Sequence, residues 1–396
     1  MHEEERAAKS SRRLKVGVLA YPSQKWMGGV SYVQNLLRGL AFANEDFELK
    51  LFHISRDHPL LSDPALAELK FDILPHVDQR LGWMKYRTAL GQLAQFRRAH
   101  LDVVHNYVLP LPRWLQMPTV SWLPDFQYLE RPDYFSDQEI RKRNTQAKSA
   151  ARFSKRVILS SEAARQDFLQ IFPQFSQKTR VIRFPSLITE KDMESRVDPL
   201  AKFGIDLPFF LVANQFWKHK NHLIVLEAVA FLKELTDRRF QIVFTGPVHD
   251  YRNPMFFNEF LLRLNDLSVR NYCNILGQIE RSELLQLMCR SLCVIQPSLF
   301  EGWNTVVEEC RTLNVPVILS NIAVHQEQAE AEALTAAFFD PSSPDDLAQL
   351  MLKVLEGGLF PAEQYRGKLN MSSVRQRASR YAEQLVSVWK EAATAA

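Results

Sequence analysis

The feature that most constrains this chain is the alternation, from one end to the other, of short apolar runs with longer amphipathic stretches. KVGVLAY (15–21), FELKLFHI (47–54), LDVVHNYV (101–108), PTVSWL (118–123) and RVILSS (156–161) are rich in branched aliphatic and aromatic residues. Runs of that kind suit strands buried on both faces, which is the situation of a parallel sheet. Segments near 30–43, 83–99, 136–153 and 163–172 have helical length and fall between them. Strand, helix and strand in repetition build a doubly wound α/β domain.

The alternation then restarts. A stretch rich in charge and proline, 189–208, reads as a linker. PFFLVAN (208–214), RFQIVFTG (239–246), YCNILG (272–277), CVIQPS (293–298), PVILSN (316–321) and AAFFD (336–340) follow as strands, separated by helices near 221–236, 254–268, 281–290, 304–314 and 344–356. A single core stops growing at roughly 250–300 residues. The 396-residue chain is therefore expected to form two Rossmann-like domains, 15–195 and 200–375, behind a disordered leader, 1–14. The tail is expected to be helical, with Tyr381, Leu385 and Trp389 four apart, and its end, 376–396, to pack back on the first domain. Ligands of doubly wound sheets bind outside the carboxyl ends of the strands, so two facing sheets imply an interdomain cleft.

Several classes are excluded or disfavoured. The balance of 49 Lys+Arg against 45 Asp+Glu gives a net charge of +4, too mild to call for nucleic acid. No window offers the ~18 apolar residues of a membrane span, and MHEEERAAKSSRR lacks the apolar stretch of a secretory signal. A cytoplasmic protein is expected, with a peripheral position on the inner face of the plasma membrane left open. Cys273, Cys289, Cys293 and Cys310 show no CxxC spacing and read as buried small hydrophobes. His219 and His222 are close together, but no acid or thiol nearby completes a ligand set, so no metal is expected. Neither GxGxxG nor GxxxxGK occurs, which argues against a dinucleotide oxidoreductase or a P-loop NTPase.

The most informative segment is SLFEGWNTVVEE (298–309), which leaves the strand CVIQPS and enters a helix. Glu301 stands in the loop and Glu309 eight residues later. Gly302 lets a ligand approach the backbone, and the amides of Trp303, Asn304 and Thr305 open the helix, a position suited to a diphosphate. Two carboxylates would repel that anion, so their expected partners are neutral hydroxyls such as those of sugars. On spacing alone, a loop Glu followed by a solvated helical Glu explains the pattern equally well.

EGWNTVVEEC resembles the E-x7-E signature, EGFGLPxLEA, of the retaining family-four glycosyltransferases of GT-B fold. The resemblance extends to VANQFWKHKNH (212–222), SSEAARQDF (160–168), LSNIAVHQEQ (319–328) and FFDPSSPDDLA (338–348), and so covers most of the chain from about residue 15. It implies an α/β protein of two Rossmann-like domains and transfer of a sugar from a nucleotide-sugar co-substrate, with no other cofactor. The implied acceptor is a saccharide or a lipid-linked hydroxyl, in cell-envelope polysaccharide or glycolipid synthesis. In such enzymes the first Glu contacts the donor sugar and the second the ribose, which implies those roles for Glu301 and Glu309.

Lys220 matches the family's diphosphate-binding lysine, while Gln215 stands where an Arg is frequent, so Lys218 is a candidate substitute. Gly28 and Gly29, between the first strand and a helix, resemble the family's glycine-rich loop beside the donor phosphates. Asp125 lies where many relatives carry a His facing the sugar; the alternative for it is a turn or helix cap. The resemblance also implies front-side attack with retention of configuration. No D-x-D pair occurs, and metal-independent catalysis is expected. Two basic stretches, 80–98 and 141–156, suit either an anionic lipid surface or a solvated helix face. A noncatalytic GT-B-like scaffold, an epimerase and a phosphorylase stand as rival readings.

Overall fold

The computed structural model describes residues 13–20, 27–43, 46–52, 54, 58–74, 94–107, 117–332, 334–360, 367 and 369–395. The expected leader, apart from residues 13 and 14, and most of the basic stretch 80–98 lie outside them.

Strands β1 (Leu14–Leu19), β2 (Phe47–Phe52), β3 (Phe71–Ile73), β4 (Val103–Tyr107), β5 (Thr119–Leu123), β6 (Arg156–Leu159) and β7 (Thr179–Val181) form one sheet in the order β3-β2-β1-β4-β5-β6-β7. Strands β8 (Phe209–Ala213), β9 (Gln241–Thr245), β10 (Cys273–Gly277), β11 (Val294–Gln296), β12 (Val317–Ser320) and β13 (Ala336–Phe339) form a second in the order β10-β9-β8-β11-β12-β13. The pairings are parallel throughout. In both sheets the order reverses beside the first strand, where β1 meets β4 and β8 meets β11. That reversal is the topological switch point, whose carboxyl side receives ligands in this class of sheet.

The second sheet shows why its strands read as unbroken apolar runs. Phe210 and Val212 face a core completed by helices α4 (His222–Leu235), α5 (Phe256–Asp266) and α9 (Pro344–Leu355), whereas Phe209, Leu211 and Ala213 face one completed by α6 (Arg281–Arg290) and α7 (Thr305–Leu313). Period-two alternation thus sends apolar residues into two different cores. Strands β3 and β7 were not expected, being three residues long and without a sustained apolar run. Nor was α8 (Ala323–Ala331), whose AVHQEQAEA is too polar to show a helical stripe. Cys273, Cys293 and Cys310 are buried as expected; Cys289 is only half-buried.

The chain divides into two compact units. The first comprises Met1–Asp125, Asp137–Pro185 and Arg375–Ala396; the second comprises Phe126–Ser136 and Ser186–Val374. The crossing at Pro185 precedes the charged stretch 189–208, which runs within the second unit. Helices α1 (Met27–Ala41), α2 (Asp137–Phe153), α3 (Glu162–Ile171) and most of α10 (Met371–Thr394) belong to the first.

Helix α10 carries Trp389, fully buried, whose Nε1 donates to His105 Nδ1 at 3.1 Å. His105 must then hold its proton on Nε2, which faces Tyr32 Oη at 2.9 Å. Burial pushes the His105 pKa down to about 3, so the ring is neutral. Glu391, one turn from the end, pairs with Arg156 and Arg180 at 2.8 and 2.6 Å. Gly39 of α1 is required by this packing, because a Cβ there would lie 2.8 Å from the Tyr381 ring.

Candidate functional site

At the carboxyl side of the second sheet's switch point, the loop after β8 and the loop after β11 are bonded together. The Leu299 N–H donates to His219 O at 2.8 Å. The 3-10 turn Lys218–Lys220 ends at Asn221, in the left-handed region at φ 55°, and α4 begins there. Beside it, Gly246 after β9 passes so close to Asn214 that a Cβ would meet the Asn214 carbonyl oxygen at 2.2 Å.

Lys220 Nζ lies 2.6 Å from Glu301 Oε1, with side-chain exposures of 16% and 8%. The same oxygen accepts from Ser298 Oγ at 2.7 Å and from Asn304 Nδ2 at 3.2 Å. A carboxylate this buried persists because a cation and two neutral donors replace its lost water. No described residue bonds the second oxygen, Oε2, of Glu301.

Asn304 caps α7, its side-chain oxygen accepting the N–H groups of Val306 and Val307 at 3.0 and 3.3 Å. Its own N–H, expected at a ligand, donates instead to Gln328 Oε1 at 3.2 Å, and its carbonyl accepts from Gln328 Nε2 at 3.0 Å. The cause is Gln328, whose amide pairs with both backbone groups. Trp303 is buried, Thr305 is the first residue of the helix, and Gly302 sits in the bend before them.

Glu309 is 4% exposed at its side chain and pairs with Arg281 of α6 at 2.7 Å. Glu308 faces Arg311 and Gln328 Nε2 instead, at 3.3 and 3.0 Å. Both glutamates of the E-x7-E spacing thus carry a cation of their own.

The remaining sequence candidates are placed differently. Lys218 does not join Glu301: its ammonium sits 5.5 Å over the Tyr134 ring, and its N–H donates to Asp250 at 3.3 Å. Gln215 is half-buried, and its carbonyl accepts the Trp217 N–H. Gly28 and Gly29 fall inside the first turn of α1 rather than in a loop ahead of it, since the unpaired N–H groups of a helix start tolerate glycine there. They and Asp125, half-buried two residues past β5, belong to the first unit. His222 is no ligand on a surface; it stacks on Phe216 with ring centroids 4.3 Å apart, its pKa held down to about 3 by burial. Burial, with the Lys220 charge second, also pushes His219 well below its ordinary value.

Residues that sequence reasoning gave no role are Gln296, Ser298, Arg281, His325, Gln328 and Arg252. His325 and Gln328 lie in LSNIAVHQEQ, a stretch noted for resemblance alone. Arg252 had no signal, being one charge in a polar loop. Its guanidinium lies 4.7 Å from both the Phe135 and Trp217 rings and donates to Gln127 at 2.9 Å, fastening 126–136 to the second unit. A hollow of about 870 Å³ in the first unit, lined by residues such as Asp46, Glu48 and Lys70, contains none of the candidates.

Among described residues, no helix is long and apolar enough to cross a membrane. Residues 201–371 match the family model of the glycosyl transferases group 1. Over 351 residues, 82% of this chain and 86% of the other, the chain is 22% identical to an O-antigen chain mannosyltransferase B of Escherichia coli. It is 24% identical over 267 residues to the O-antigen chain mannosyltransferase RfbU of Salmonella typhimurium, covering 66% of this chain and 65% of that one. In structure it is similar to Anabaena Alr3699/HepE, solved in complex with UDP, at a TM-score of 0.62 and 16% identity over 95% of this chain and 98% of the other. The fold of two Rossmann-like domains is therefore GT-B, and residues 201–371 match the glycosyl transferases group 1 domain.

Proposed function

We propose that this chain transfers a sugar from a nucleotide-sugar donor to a hydroxyl acceptor, with retention of anomeric configuration, in envelope polysaccharide or glycolipid synthesis. The observation that carries the reading is the Lys220–Glu301 pair at the switch point of the second sheet, beside the start of α7. Lys220 is assigned to the donor diphosphate, where its charge offsets that growing on the leaving group. Bound diphosphate competes with Glu301 for the ammonium, which frees the carboxylate for a sugar hydroxyl. Glu309 is assigned to the ribose, and the helix start at Thr305, after Gly302 and Trp303, to the phosphates.

In the reaction the acceptor oxygen forms a bond to the anomeric carbon as the bond from that carbon to the phosphate oxygen breaks. The acceptor proton passes to a donor phosphate oxygen. No metal enters this scheme. The first unit, with Gly28, Gly29 and Asp125, is assigned to the acceptor and the adjoining donor surface, and Gln215 and Lys218 to the outer donor contacts. The relatives are named mannosyltransferases of O-antigen chains and a structural neighbour holds UDP, which makes GDP-mannose and UDP-sugars the first donors to try. A cytoplasmic location is part of the proposal, with peripheral membrane contact through the exposed Arg141, Lys148 and Arg152 of α2.

The test is transfer from each sugar nucleotide to a lipid-linked saccharide, with the anomer of the product read by NMR. Retention with EDTA present supports the scheme; inversion, or loss restored by magnesium or manganese, overturns those parts of it. Conversion of the donor sugar without acceptor identifies an epimerase, phosphate dependence a phosphorylase, and absent donor binding a scaffold.

A further inference from the structure

Among the buried polar groups outside the residues assigned to the donor, His325 is a titratable ring whose bonding reaches Glu301 by a single intermediate, Asn304. His325 and Gln328 are fully buried on α8, and Asn304 is 2% exposed. The proton arrangement follows from the partners. His325 Nδ1 faces Ser320 O at 3.0 Å and Ser320 Oγ at 3.1 Å. Ser320 Oγ donates its own proton to Ser298 O, so both partners of Nδ1 accept, and Nδ1 must carry the hydrogen. Nε2 is then a bare acceptor, 3.1 Å from Asn304 Nδ2.

That acceptor acts with the N–H groups of Val306 and Val307 to set which way the Asn304 amide points. With Nδ2 toward His325, the two hydrogens of its NH2 are shared among His325 Nε2, Gln296 Oε1 at 3.0 Å and Glu301 Oε1 at 3.2 Å, while Oδ1 takes the two helix N–H groups. The reversed amide would set its oxygen against the Glu301 carboxylate and its NH2 against the N–H groups of α7. The glycosyltransferase signature has glycine at this position, where no side chain could transmit such an arrangement. Burial holds the His325 pKa down to about 4, so the ring keeps its neutral, accepting form at neutral pH.

We infer that His325 is a positioning residue for this chain's reaction: through Asn304 it holds Oε1 of Glu301 on Ser298 when the diphosphate has drawn Lys220 away, leaving Oε2 as the oxygen presented to the donor sugar. The inference rests on the assignment of Glu301 to that sugar, and it adds a residue that touches neither donor nor acceptor. A carboxylate released from this hold still binds nucleotide through other groups but loses the alignment on which rate depends.

The experiment compares wild type, His325→Leu and His325→Gln as full chains. Glutamine retains an acceptor for Asn304; leucine does not. Three readouts are taken: UDP and GDP affinity by calorimetry, kcat and KM on the sugar nucleotide that wild type turns over, and crystal structures of the variants. The expected result for His325→Leu is nucleoside diphosphate affinity within about twofold, kcat down about 10–100-fold with KM little changed, and Glu301 displaced from Ser298. His325→Gln should recover most of kcat and keep Glu301 in place. An unchanged kcat in His325→Leu overturns the inference, and so does a parallel fall of affinity, melting temperature and kcat that glutamine does not rescue. Should wild type turn over no sugar nucleotide, the functional reading fails, and the position of Glu301 in the two crystal structures decides this inference alone.

Discussion

The two units solve the same sheet topology with opposite use of polar groups. In the first they brace the fold: Trp389 donates to His105, His105 meets Tyr32, and Glu391 ties α10 to Arg156 and Arg180. In the second they gather at the switch point, where Lys220, Ser298, Glu301 and Asn304 bond one another in loops rather than across the core. Polar groups held by one another in loops beside a strand end can exchange partners with a ligand more readily than those that tie a helix to a sheet. The difference supports the proposal that the second unit takes the charged part of the substrate.

The largest expected effect tests the bracing. Trp389→Ala removes a fully buried indole and should destabilise the first unit by about 3–5 kcal/mol. Hydrogen exchange read by mass spectrometry should show faster exchange in β1, β4 and α10, with α7 and α4 unaffected; equal loosening of both units would break the comparison.

Acid should act the other way round. A histidine whose folded pKa lies below its ordinary value of 6.5 stabilises the fold above that value, and the contribution is lost as pH falls toward the folded pKa. His222 and His325, at about 3 and about 4, stand in the second unit against His105, at about 3, in the first. Each costs about 2 kcal/mol at pH 5, and His219 of the second unit is also held well below its ordinary value, so the second unit should lose more than about 4 kcal/mol where the first loses about 2. Urea unfolding at pH 7 and pH 5, followed by exchange in each unit, checks the order.

Next in size is Lys220→Ala: under the proposed assignment it removes a charge-assisted contact to the diphosphate of about 1.5–3 kcal/mol and should lower kcat/KM about 10–100-fold. An unchanged rate in a folded variant would take Lys220 out of the mechanism. The smallest effect is expected for Arg281→Ala. Its guanidinium is 38% exposed, so the pair with Glu309 is screened, and UDP affinity should change by less than about tenfold. A larger loss would mean that Glu309 depends on Arg281 for its position.

The sequence was most legible where burial on two faces wrote a continuous apolar run, as in FFLVA of β8 and VILS of β12. Short edge strands escaped it because three residues such as Phe71–Ile73 carry too little pattern. At the candidate site, spacing and resemblance singled out Glu301, Glu309 and Lys220, of which Glu301 and Lys220 pair with each other and Glu309 with Arg281. Ser298, His325 and Gln328 were not singled out, since their importance lies in bonds across 20 or more residues or inside a loop, and nothing local distinguishes them from ordinary polar positions. The placement of Lys218 was not legible: the turn at 218–220 sets its ammonium over Tyr134, apart from the Lys220–Glu301 pair.

The most direct measurement is release of nucleoside diphosphate from a panel of sugar nucleotides, GDP-mannose and UDP-glucose first, by wild type and Glu301→Gln side by side with acceptor present and products weighed by mass spectrometry. Release from one donor, with a sugar added to the acceptor and the rate lost in Glu301→Gln, is the predicted result. Release that proceeds equally in both proteins, or no donor bound by calorimetry, would contradict the assignment of this cluster to sugar transfer.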